Sequence, residues 1–397
     1  MKAKPLLVGL CVLCALARIA PGKTPKAGKT TTTTTTTTTT VTTVREPDYI
    51  PVPPRRYTSK EVEIVFVLDT TGSMGGLIDG AKRKIWSIVN DVMQNMPQGT
   101  RVRIGLVGYR DRGDAYVVRT HALTENLDEI YAKLMDFEAM GGGDEPEDVR
   151  QALHTAVNKI NWSKARSGVS RIVFLVGDAR PHTDYQDFPT TVATAKAAAK
   201  RGIVINTIQC GNLGLTEKYW RQIADNTNGQ YFRIAQDGGT RAVTTPYDEQ
   251  LRSLGDEIDR VYIPFGKEEE RAVAIMAAAD RLGRIKSGSH PEAAAARTVN
   301  KSLNRHAYSS DDLIQALENK EIRLKDIEKS ELPAEMQAMT PAERENYVQG
   351  KIAERGKIRE QIVSVSRKRD AWIKAHAGEK ADSFDQAVSD ALKEQIK

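Results

Sequence analysis

Several residue types that build common functional sites are scarce in this 397-residue sequence. It has three cysteines and six histidines, and outside the N-terminal apolar run that holds Cys11 and Cys14 no pair of either stands at the spacing that zinc sites use. Aromatic residues make up 6% of the chain and do not alternate with a basic stripe, which argues against nucleic-acid binding. The 58 basic residues are nearly balanced by 52 acidic ones, so the net charge of +6 is dispersed. No glycine-rich loop carries the lysine of a phosphate-binding P-loop.

The apolar run near the N-terminus, LLVGLCVLCALA, is too short to span a bilayer. It follows Lys2 and Lys4 and ends at the small-x-small sequence Ala15-Leu16-Ala17. This pattern is typical of a secretory signal peptide, here over residues 1–20. An uncleaved anchor is the alternative, but Arg18 interrupts the run. The sequence therefore predicts an exported protein of the periplasm, the cell surface or the extracellular space.

Cleavage of this signal would remove two cysteines, so Cys210 would be left without a disulfide partner within the mature chain. Cys210 lies in the apolar stretch IVINTIQCG and is predicted to be buried. Residues 21–58 combine uninterrupted threonine from Thr30 to Thr40 with the prolines of PDYIPVPPRR. Such a composition cannot bury enough apolar surface to fold, so we predict a disordered linker that holds the next domain off a surface.

Strand patterns alternate with helix patterns across residues 59–263. Four apolar stretches are typical of strands buried on both faces: EVEIVFVLD, RVRIGLVGYR, SRIVFLVGD and IVINTIQCG. YVVRTHAL is predicted as a short edge strand and QYFRI as the closing strand. The alternation predicts an α/β fold with a doubly wound, mostly parallel sheet flanked by helices. Ligands of such sheets bind at the carboxyl ends of the strands, where the strand order switches.

Residues 264–397 show no further strand pattern and are rich in Ala, Glu, Lys and Arg. Thr340-Pro341-Ala342-Glu343 has the threonine, proline and glutamate that start a helix. Gly350 and Gly356 weaken the helix that follows. Its apolar residues at partial heptad spacing include Val348, Ile352, Ile362 and Val365. We predict an α-helical region with coiled-coil character that packs as a hairpin or pairs with a partner helix, as an oligomerisation element or an envelope anchor.

Oxygen-bearing side chains follow the first strand, in the sequence VFVLDTTGSMGG. Asp69, Thr71 and Ser73 stand at alternate positions and would point to one side of an extended chain. Asp178 ends a later strand in the same way. Carboxylates and hydroxyls, without His or Cys, favour a hard cation such as Mg²⁺, Mn²⁺ or Ca²⁺ over zinc. An ion with few carboxylate ligands would keep part of its positive charge. That charge could attract a carboxylate of another molecule.

A third loop, GGGDEPED, offers Asp144 and Glu147 as further carboxylates. Its three glycines permit a close approach of the backbone to a ligand. The loop precedes the helix predicted at 146–160, and we expect it at the carboxyl ends of the strands, beside the loops that carry Asp69 and Asp178. The sequence does not decide whether Asp144 or Glu147 would bind the ion.

The motif Asp69-x-Thr71-x-Ser73 resembles the metal-ion-dependent adhesion site of von Willebrand factor type A domains, which lies at the top of a doubly wound sheet. The resemblance covers roughly residues 59–263, and Asp178 stands where the family has its later aspartate. The stretches DTTGSM, GLVGYRDRGD, GGGDEPEDVRQAL and VGDARPH are similar to the exported bacterial and alpha-kinase-associated branch. In integrin beta subunits a similar D-x-P-E segment gives its glutamate to the metal, which makes Glu147 a candidate beside or instead of Asp144.

The sequence also departs from the integrin pattern. Gly75-Gly76-Leu77 stands where integrin beta chains have two acidic residues, so the adjacent ion site of those chains is expected to be absent. The resemblance hints at a second site built from Asp111 and Asp144 on the other side, but no asparagine matches the usual partner.

Simpler explanations exist for several of these residues. Asp69 or Ser73 could cap the helix that begins near Gly76, since both residue types are typical caps. Arg112-Gly113-Asp114 spells a tripeptide that many integrins bind, but chance in a charged loop explains it better. His182 could face a partner or substrate, although a solvent-exposed loop position is the simpler expectation. Agreement between three separate loops favours metal binding over capping.

Two functions from different classes fit these residues. The first is an exported, non-enzymatic module whose bound cation captures an Asp or Glu of a protein partner, with Gly72, Asp111 and His182 facing that partner. The second is a metal-dependent hydrolase or phosphoryl-transfer enzyme that uses the same site. The sequence shows no nucleophile pair and no general-base histidine with an orienting partner, and His182 is its only candidate base. The first function is therefore favoured.

Overall fold

The computed structural model describes residues 60–96, 99–143, 145–239, 243–288, 290–376 and 383–396. The predicted signal peptide and linker lie outside the described residues, as does Asp144. The described residues all belong to one compact unit, Arg56–Lys397. Among the helices described, none combines the length and the apolar character needed to cross a membrane.

In the described part of the chain, six strands form one sheet in the order β3-β2-β1-β4-β5-β6. Neighbouring strands run parallel, except that β3 pairs antiparallel with β2 at the edge, where the sequence predicts a short edge strand. Strands β2 and β3 lie on one side of β1, and strands β4, β5 and β6 lie on its other side. The strand order therefore switches between β1 and β4. The strands are β1 Glu61–Asp69, β2 Arg101–Tyr109, β3 Val118–Thr124, β4 Val169–Gly177, β5 Ile203–Cys210 and β6 Tyr231–Ile234.

Helices connect these strands and then continue to the C-terminus. This confirms the predicted α/β fold with a helical C-terminal region. The helices are α1 Gly75–Asn95, α2 Leu127–Met135, α3 Val149–Asn158, α4 Thr191–Lys200, α5 Gly214–Asp225, α6 Asp248–Arg260, α7 Glu268–Gly288, α8 Pro291–Leu303, α9 Leu313–Glu318, α10 Ala334–Gln337, α11 Pro341–His376 and α12 Phe384–Gln395.

The central strand β1 is buried along its whole length, because helices cover both faces of the sheet. Successive side chains of a strand point to opposite faces. Val62, Ile64, Phe66 and Leu68 accordingly join the core formed with α1, α2 and α12. Val65 and Val67 join the opposite core, formed with α3, α4 and α5. Two-sided burial explains why this strand reads as a continuous apolar run.

Helices α6, α9 and α11 build a third apolar core with part of α8. The predicted helix start is confirmed, since Thr340 Oγ1 accepts a hydrogen bond from Glu343 N and Glu343 Oε2 accepts one from Thr340 N. From there α11 continues through Gly350 and Gly356 to His376. Arg355 of α11 is fully buried, pairs with Asp312 at 2.7 Å and stacks on Tyr308. Packing of this kind outweighs the low helix propensity of the two glycines.

The last helix, α12, returns to the sheet and joins the core on the α1 face. The Phe384 ring centroid lies 6.0 Å from that of Phe66 on β1. Asn206 of β5 and Gln395 exchange two side-chain hydrogen bonds of 2.9 and 2.7 Å. A helix from the end of the chain therefore covers a strand that lies 189 residues earlier in the sequence.

Candidate metal centre

Asp69 and the two hydroxyl residues of its motif lie at the carboxyl end of β1. Asp69 is fully buried, and its Oδ1 accepts hydrogen bonds from Thr71 N at 2.9 Å and Thr71 Oγ1 at 2.6 Å. Thr71 Oγ1 in turn lies 3.5 Å from Ser73 Oγ. The second carboxylate oxygen, Oδ2, is buried and accepts no hydrogen bond of normal geometry among the described residues, although the Tyr109 hydroxyl interacts weakly with this carboxylate. The motif thus gathers its three side chains as the sequence predicts, with one oxygen left unsatisfied.

Helix capping does not explain the motif. A short 3₁₀ turn, Gly72–Met74, separates the motif's first residues from α1. The N-cap positions of the turn and of α1 are Thr71 and Met74, and neither makes a side-chain capping hydrogen bond. Asp69 and Ser73 therefore do not serve as the caps that the simpler explanation requires.

The glycine loop lies directly against this motif. Gly72 N donates to Gly141 O at 3.1 Å, which joins the loop to the turn after β1. A methyl group placed on Gly142 would lie 3.3 Å from Thr71 Cβ and 3.5 Å from Glu147 Oε1. Gly142 also has φ of +80°, a backbone conformation that favours glycine. Glycine at this position therefore lets the Glu147 carboxylate lie close to Thr71.

Glu147 is held in place through its backbone. Its N–H donates to Arg180 O and its carbonyl accepts from His182 N, each at 3.1 Å, so it pairs with the segment that follows β4. The side chain is buried, and its Oε2 lacks a hydrogen-bond partner among the described residues. A buried carboxylate oxygen without a donor is costly, so each such group calls for an explanation.

Asp178 follows β4, beside β1 at the switch of strand order. It is buried, and its Oδ2 accepts a hydrogen bond of 2.7 Å from Gln236 Nε2, in the turn after β6. Sequence reasoning missed Gln236. The signal was available, because Gln236 follows a parallel strand at the same edge of the sheet.

When no cation is present, the surroundings of the buried carboxyl groups in this site disfavour their ionised forms. Burial raises the pKa of Asp69 to about 7, and the negative charge of Asp178 adds to the rise while the hydrogen bonds from Thr71 oppose it. Burial also raises the pKa of Glu147 to about 9, with further contributions from Asp69 and Asp111. A cation between such carboxylates would reverse both effects.

Asp111 and Asp114, in the loop after β2, form the wall next to Glu147. Asp111 is buried, and its Oδ2 accepts from Tyr185 Oη at 2.9 Å while Oδ1 has no partner in the described part of the chain. Asp114 Oδ2 accepts from Gly142 N at 3.1 Å and from Asp111 N at 3.3 Å. The aspartate of the Arg112-Gly113-Asp114 tripeptide therefore supports the glycine loop.

The structure corrects the expectation that His182 is a solvent-exposed loop histidine. Its side chain is 9% exposed, because its ring stacks on Tyr185 with centroids 3.9 Å apart. His182 Nε2 lies 3.4 Å from Asp111 Oδ2, and Nδ1 lies 2.9 Å from Asp184 Oδ1. Arg112 covers the other face of the Tyr185 ring at 3.8 Å. Sequence reasoning missed Tyr185, because its position in a loop carries no periodic signal.

Within the described ranges, no group of three or more His, Cys, Asp and Glu side chains is arranged to hold a metal ion by itself. The predicted ligand set depends on the hydroxyls of Thr71 and Ser73 as well as on carboxylates, and Asp144 lies outside the described residues. The other predicted metal residues, Asp69, Glu147 and Asp178, border the same edge of the sheet. Gly72, Asp111 and His182 lie around them.

Comparison with known proteins places this region in a family. The family model of the von Willebrand factor A domain matches residues 63–246. Rat von Willebrand factor A domain-containing protein 7 is 41% identical over 92 residues, which cover 23% of this chain and 10% of the relative. The human protein of the same name is 38% identical over 92 residues, with the same coverage. A putative ariadne-like RING finger protein, R811, of Acanthamoeba polyphaga mimivirus is 26% identical over 122 residues, or 30% of this chain and 11% of the relative.

The matches cover about a tenth of the length of these curated relatives. Among solved structures, BatB from Bacteroides thetaiotaomicron, described as a conserved hypothetical protein, has 19% identity and a TM-score of 0.34, covering 44% of this chain and 90% of that one. The SpRpn10 VWA domain has 14% identity and a TM-score of 0.33, covering 45% of this chain and 89% of that one. The family-model match, on a chain with this six-stranded sheet, shows that residues 63–246 are a von Willebrand factor A domain.

Proposed function

We propose that this domain is a metal-dependent protein-binding module that captures an acidic residue of a partner protein through a bound divalent cation. Von Willebrand factor A domains are in general protein-interaction modules. The observation that carries the metal-dependent part is the pair of buried oxygens without a hydrogen bond of normal geometry, Asp69 Oδ2 and Glu147 Oε2, beside the hydroxyls of Thr71 and Ser73. Burial without a partner is unfavourable for a carboxylate, and a cation would satisfy both oxygens.

Oxygen donors of this kind fit Mg²⁺, or Mn²⁺ and Ca²⁺, and do not fit a soft metal. Asp69, Thr71, Ser73 and Asp178 would hold the ion, with Glu147 or Asp144 as the further carboxylate. Bound there, the cation would supply a positive charge to a ligand oxygen. Mg²⁺ in proteins usually keeps several waters, and an Asp or Glu from outside can replace one of them. Lysine or a neutral side chain cannot gain the same ion contact, which gives the site its selectivity.

Glycine in the surrounding loops leaves room for a partner. Gly72 and Ser73 are exposed beside the buried Thr71. Asp111 and His182 form a wall held by Tyr185 and would define one side of the binding surface. We expect an acidic side chain to approach over Gly72 and Ser73, because Asp69 and Thr71 are buried beneath them.

An enzyme that uses the same metal is the second candidate, and the contacts of His182 are the observation that favours it. Both ring nitrogens lie near carboxylates, Asp111 at 3.4 Å and Asp184 at 2.9 Å, as in a general base with an orienting group. The same contacts engage both nitrogens, which leaves neither directed at a substrate. Turnover of a phosphoester that requires Mg²⁺ and is lost in His182→Ala would establish the enzyme instead.

The cellular setting is also part of this proposal. The N-terminal sequence supports export to the periplasm, the cell surface or the extracellular space, with residues 21–58 as a tether. The C-terminal helices would then associate with the envelope or join copies of the chain. Intact-mass analysis of exported protein that begins after residue 20 would support cleavage, and retention of Met1 would contradict it.

Calorimetric titration of the full chain with MgCl₂ tests the metal site. Asp69→Ala should abolish binding, whereas the matched variant Asp225→Ala, an exposed aspartate of α5, should bind like the parent. Equal affinity in Asp69→Ala and the parent would exclude the metal site. Partner capture then tests the binding function: proteins retained from extracts of the native host should be released by EDTA and recovered with Mg²⁺. Retention that is equal in EDTA and in Asp69→Ala would place recognition on another surface.

A further inference from the structure

Large apolar side chains are exposed at the edge of the sheet that carries the candidate metal centre. Met140 is 56% exposed, Leu213 40% and Leu215 61%. Met140 lies in the loop that follows α2, and Leu213 and Leu215 follow β5. Single exposed apolar residues are common on protein surfaces, but three of them at the carboxyl ends of parallel strands lie where such sheets bind ligands. They are therefore candidates for a binding surface.

The backbone of Met140 is held directly beside the metal-binding motif. Met140 N donates to the carbonyl of Thr70, the residue between Asp69 and Thr71, at 3.1 Å. Arg110, which follows β2, is buried and donates to the same Thr70 O at 3.1 Å and to Glu138 O at 2.7 Å. A buried guanidinium thus joins the loop to the ends of β1 and β2, which fixes the place of Met140 next to the motif.

The loop that carries Leu213 is held on the other side of the centre. The buried side chain of Gln209, at the end of β5, donates to Leu213 O at 2.8 Å. Gly211 has φ of +74°, and a methyl group placed on it would lie 2.1 Å from Gln236 Oε1, so this turn requires glycine. Gln236 is the residue that donates to Asp178. The Leu213 loop therefore adjoins the Asp178 side of the candidate metal centre.

We propose that these apolar side chains and the candidate cation form one binding surface, whose partner is a protein segment with an Asp or Glu between two apolar residues. The inference rests on the proposed function, because the cation would bind the acidic side chain. Met140 would contact one apolar residue of the segment, and Leu213 with Leu215 would contact the other.

The strand order sets the spacing of this surface. Strand β5 lies two strands away from β1, which is about 10 Å. Asp178 follows β4, the strand between them, so the candidate centre lies between Met140 and the Leu213 loop. In an extended segment, residues two positions apart point to the same side and lie about 7 Å from each other. An acidic residue with apolar residues two positions before it and two positions after it matches this arrangement.

The charges of the two loops favour a protein segment over a lipid surface. Residues 139–143 read AMGGG and residues 211–215 read GNLGL, without one charged residue. Surfaces that bind anionic lipids usually carry lysine or arginine beside their apolar residues, and these loops have neither. Since the loops themselves are neutral, the cation would select the acidic residue of the partner, and the apolar side chains would add affinity.

Selection from a phage-displayed library of random peptides tests this surface, with the full chain immobilised in MgCl₂. Peptides eluted by EDTA should contain Asp or Glu with an aliphatic or aromatic residue two positions before it and two positions after it. A parallel selection on Asp69→Ala should yield no such peptides. The most enriched peptide is then labelled with fluorescein, and its affinity for the full chain is measured by anisotropy.

Substitutions at the two loops separate the apolar contacts from the metal. Met140→Ser and Leu213→Ser should each weaken binding of the labelled peptide about five- to tenfold, because each removes one apolar contact. Neither side chain is a candidate ligand, so the affinity for Mg²⁺ in calorimetry should stay that of the parent. The matched control is Val273→Ser on α7, which alters an apolar residue that is 66% exposed and should bind the peptide like the parent.

Several results would overturn the inference, and they distinguish it from the proposed function. Enriched acidic peptides without apolar neighbours, eluted by EDTA, would keep the metal-dependent module and exclude the apolar surface. Peptides that resist EDTA and bind Asp69→Ala equally would exclude the proposed function too. A selection that enriches no peptide, or equal binding by the parent and both loop variants, would show that this surface does not bind such a segment. Dimerisation of the parent in MgCl₂ that is lost in Leu213→Ser would assign the surface to a second copy of the chain.

Discussion

Replacement of Asp69 by asparagine should make the metal-free protein more stable at pH 8 and should remove its response to Mg²⁺. Asparagine keeps the size of the side chain, and its Oδ1 can still accept the two hydrogen bonds that Thr71 donates. The substitution removes the charge and offers an N–H₂ group where Oδ2 accepts no hydrogen bond of normal geometry. That group can donate to a neighbouring carboxylate such as Asp178.

The size of the effect follows from the pKa of Asp69. Burial raises it from 3.8 to about 7, so the folded protein holds this proton more tightly than the unfolded chain does. The contribution of Asp69 to the free energy of unfolding is fully present below pH 4 and is lost as the pH rises through about 7. The loss at pH 8 amounts to about 4 kcal/mol. Asp69→Asn should therefore gain about 4 kcal/mol over the parent at pH 8 and nothing at pH 4.

Urea denaturation of both proteins at pH 4.5 and pH 8, in EDTA and with Mg²⁺, measures this difference. Mg²⁺ at a hundred times its dissociation constant should stabilise the parent by about 3 kcal/mol and leave Asp69→Asn unchanged. The control Asp225→Asn, at an exposed position of α5, should follow the parent under all four conditions. A gain in Asp69→Asn that is the same at both pH values would refute the reasoning, because the effect would not come from ionisation of a buried carboxylate.

Three other substitutions test separate parts of the structure. Ser73→Ala should weaken Mg²⁺ binding in calorimetry and change metal-free stability by less than about 0.5 kcal/mol, because Ser73 is exposed. Asp128→Asn should lower the free energy of unfolding by about 3 kcal/mol, since Arg297 and Lys301 lose a buried partner. This difference should shrink in urea denaturation below about pH 4, because those two cations lower the pKa of Asp128. Phe384→Ala should cost about 3–5 kcal/mol in thermal or urea unfolding.

Most of the sheet could be predicted from the sequence because its strands are buried on both faces. The stretch EVEIVFVLD became β1, and IVINTIQCG became β5 with Cys210 buried as expected. Edge strand β3 was also anticipated, although it alternates less clearly, since only Leu123 in it is buried. Continuous apolar runs between turn residues carry this information locally, so no knowledge of tertiary contacts was needed.

The candidate site was predictable in its first residues but not in its supporting contacts. Asp69 and Asp178 each follow an apolar strand, and strand order brings their loops together. The contacts of Tyr185, Gln236 and Asp114 depend on loops that meet only in the folded chain. Loop residues have no periodicity, so sequence reasoning could not foresee that His182 is buried by stacking on Tyr185.

Nothing in the sequence indicates that α12 belongs to the core of the sheet, because a short amphipathic helix does not specify its partner. The structure places Phe384 1% exposed between the sheet and α1, near Phe66. Phe384 N also donates to Gly238 O at 3.0 Å, two residues from the Gln236 that contacts Asp178. Loss of the Phe384 ring should therefore loosen both the core and the turn after β6. A chain cut after residue 263 would expose the same apolar surface, so its melting temperature should fall below that of the full chain. Equal melting of Phe384→Ala and the parent would show that α12 contributes little to the domain.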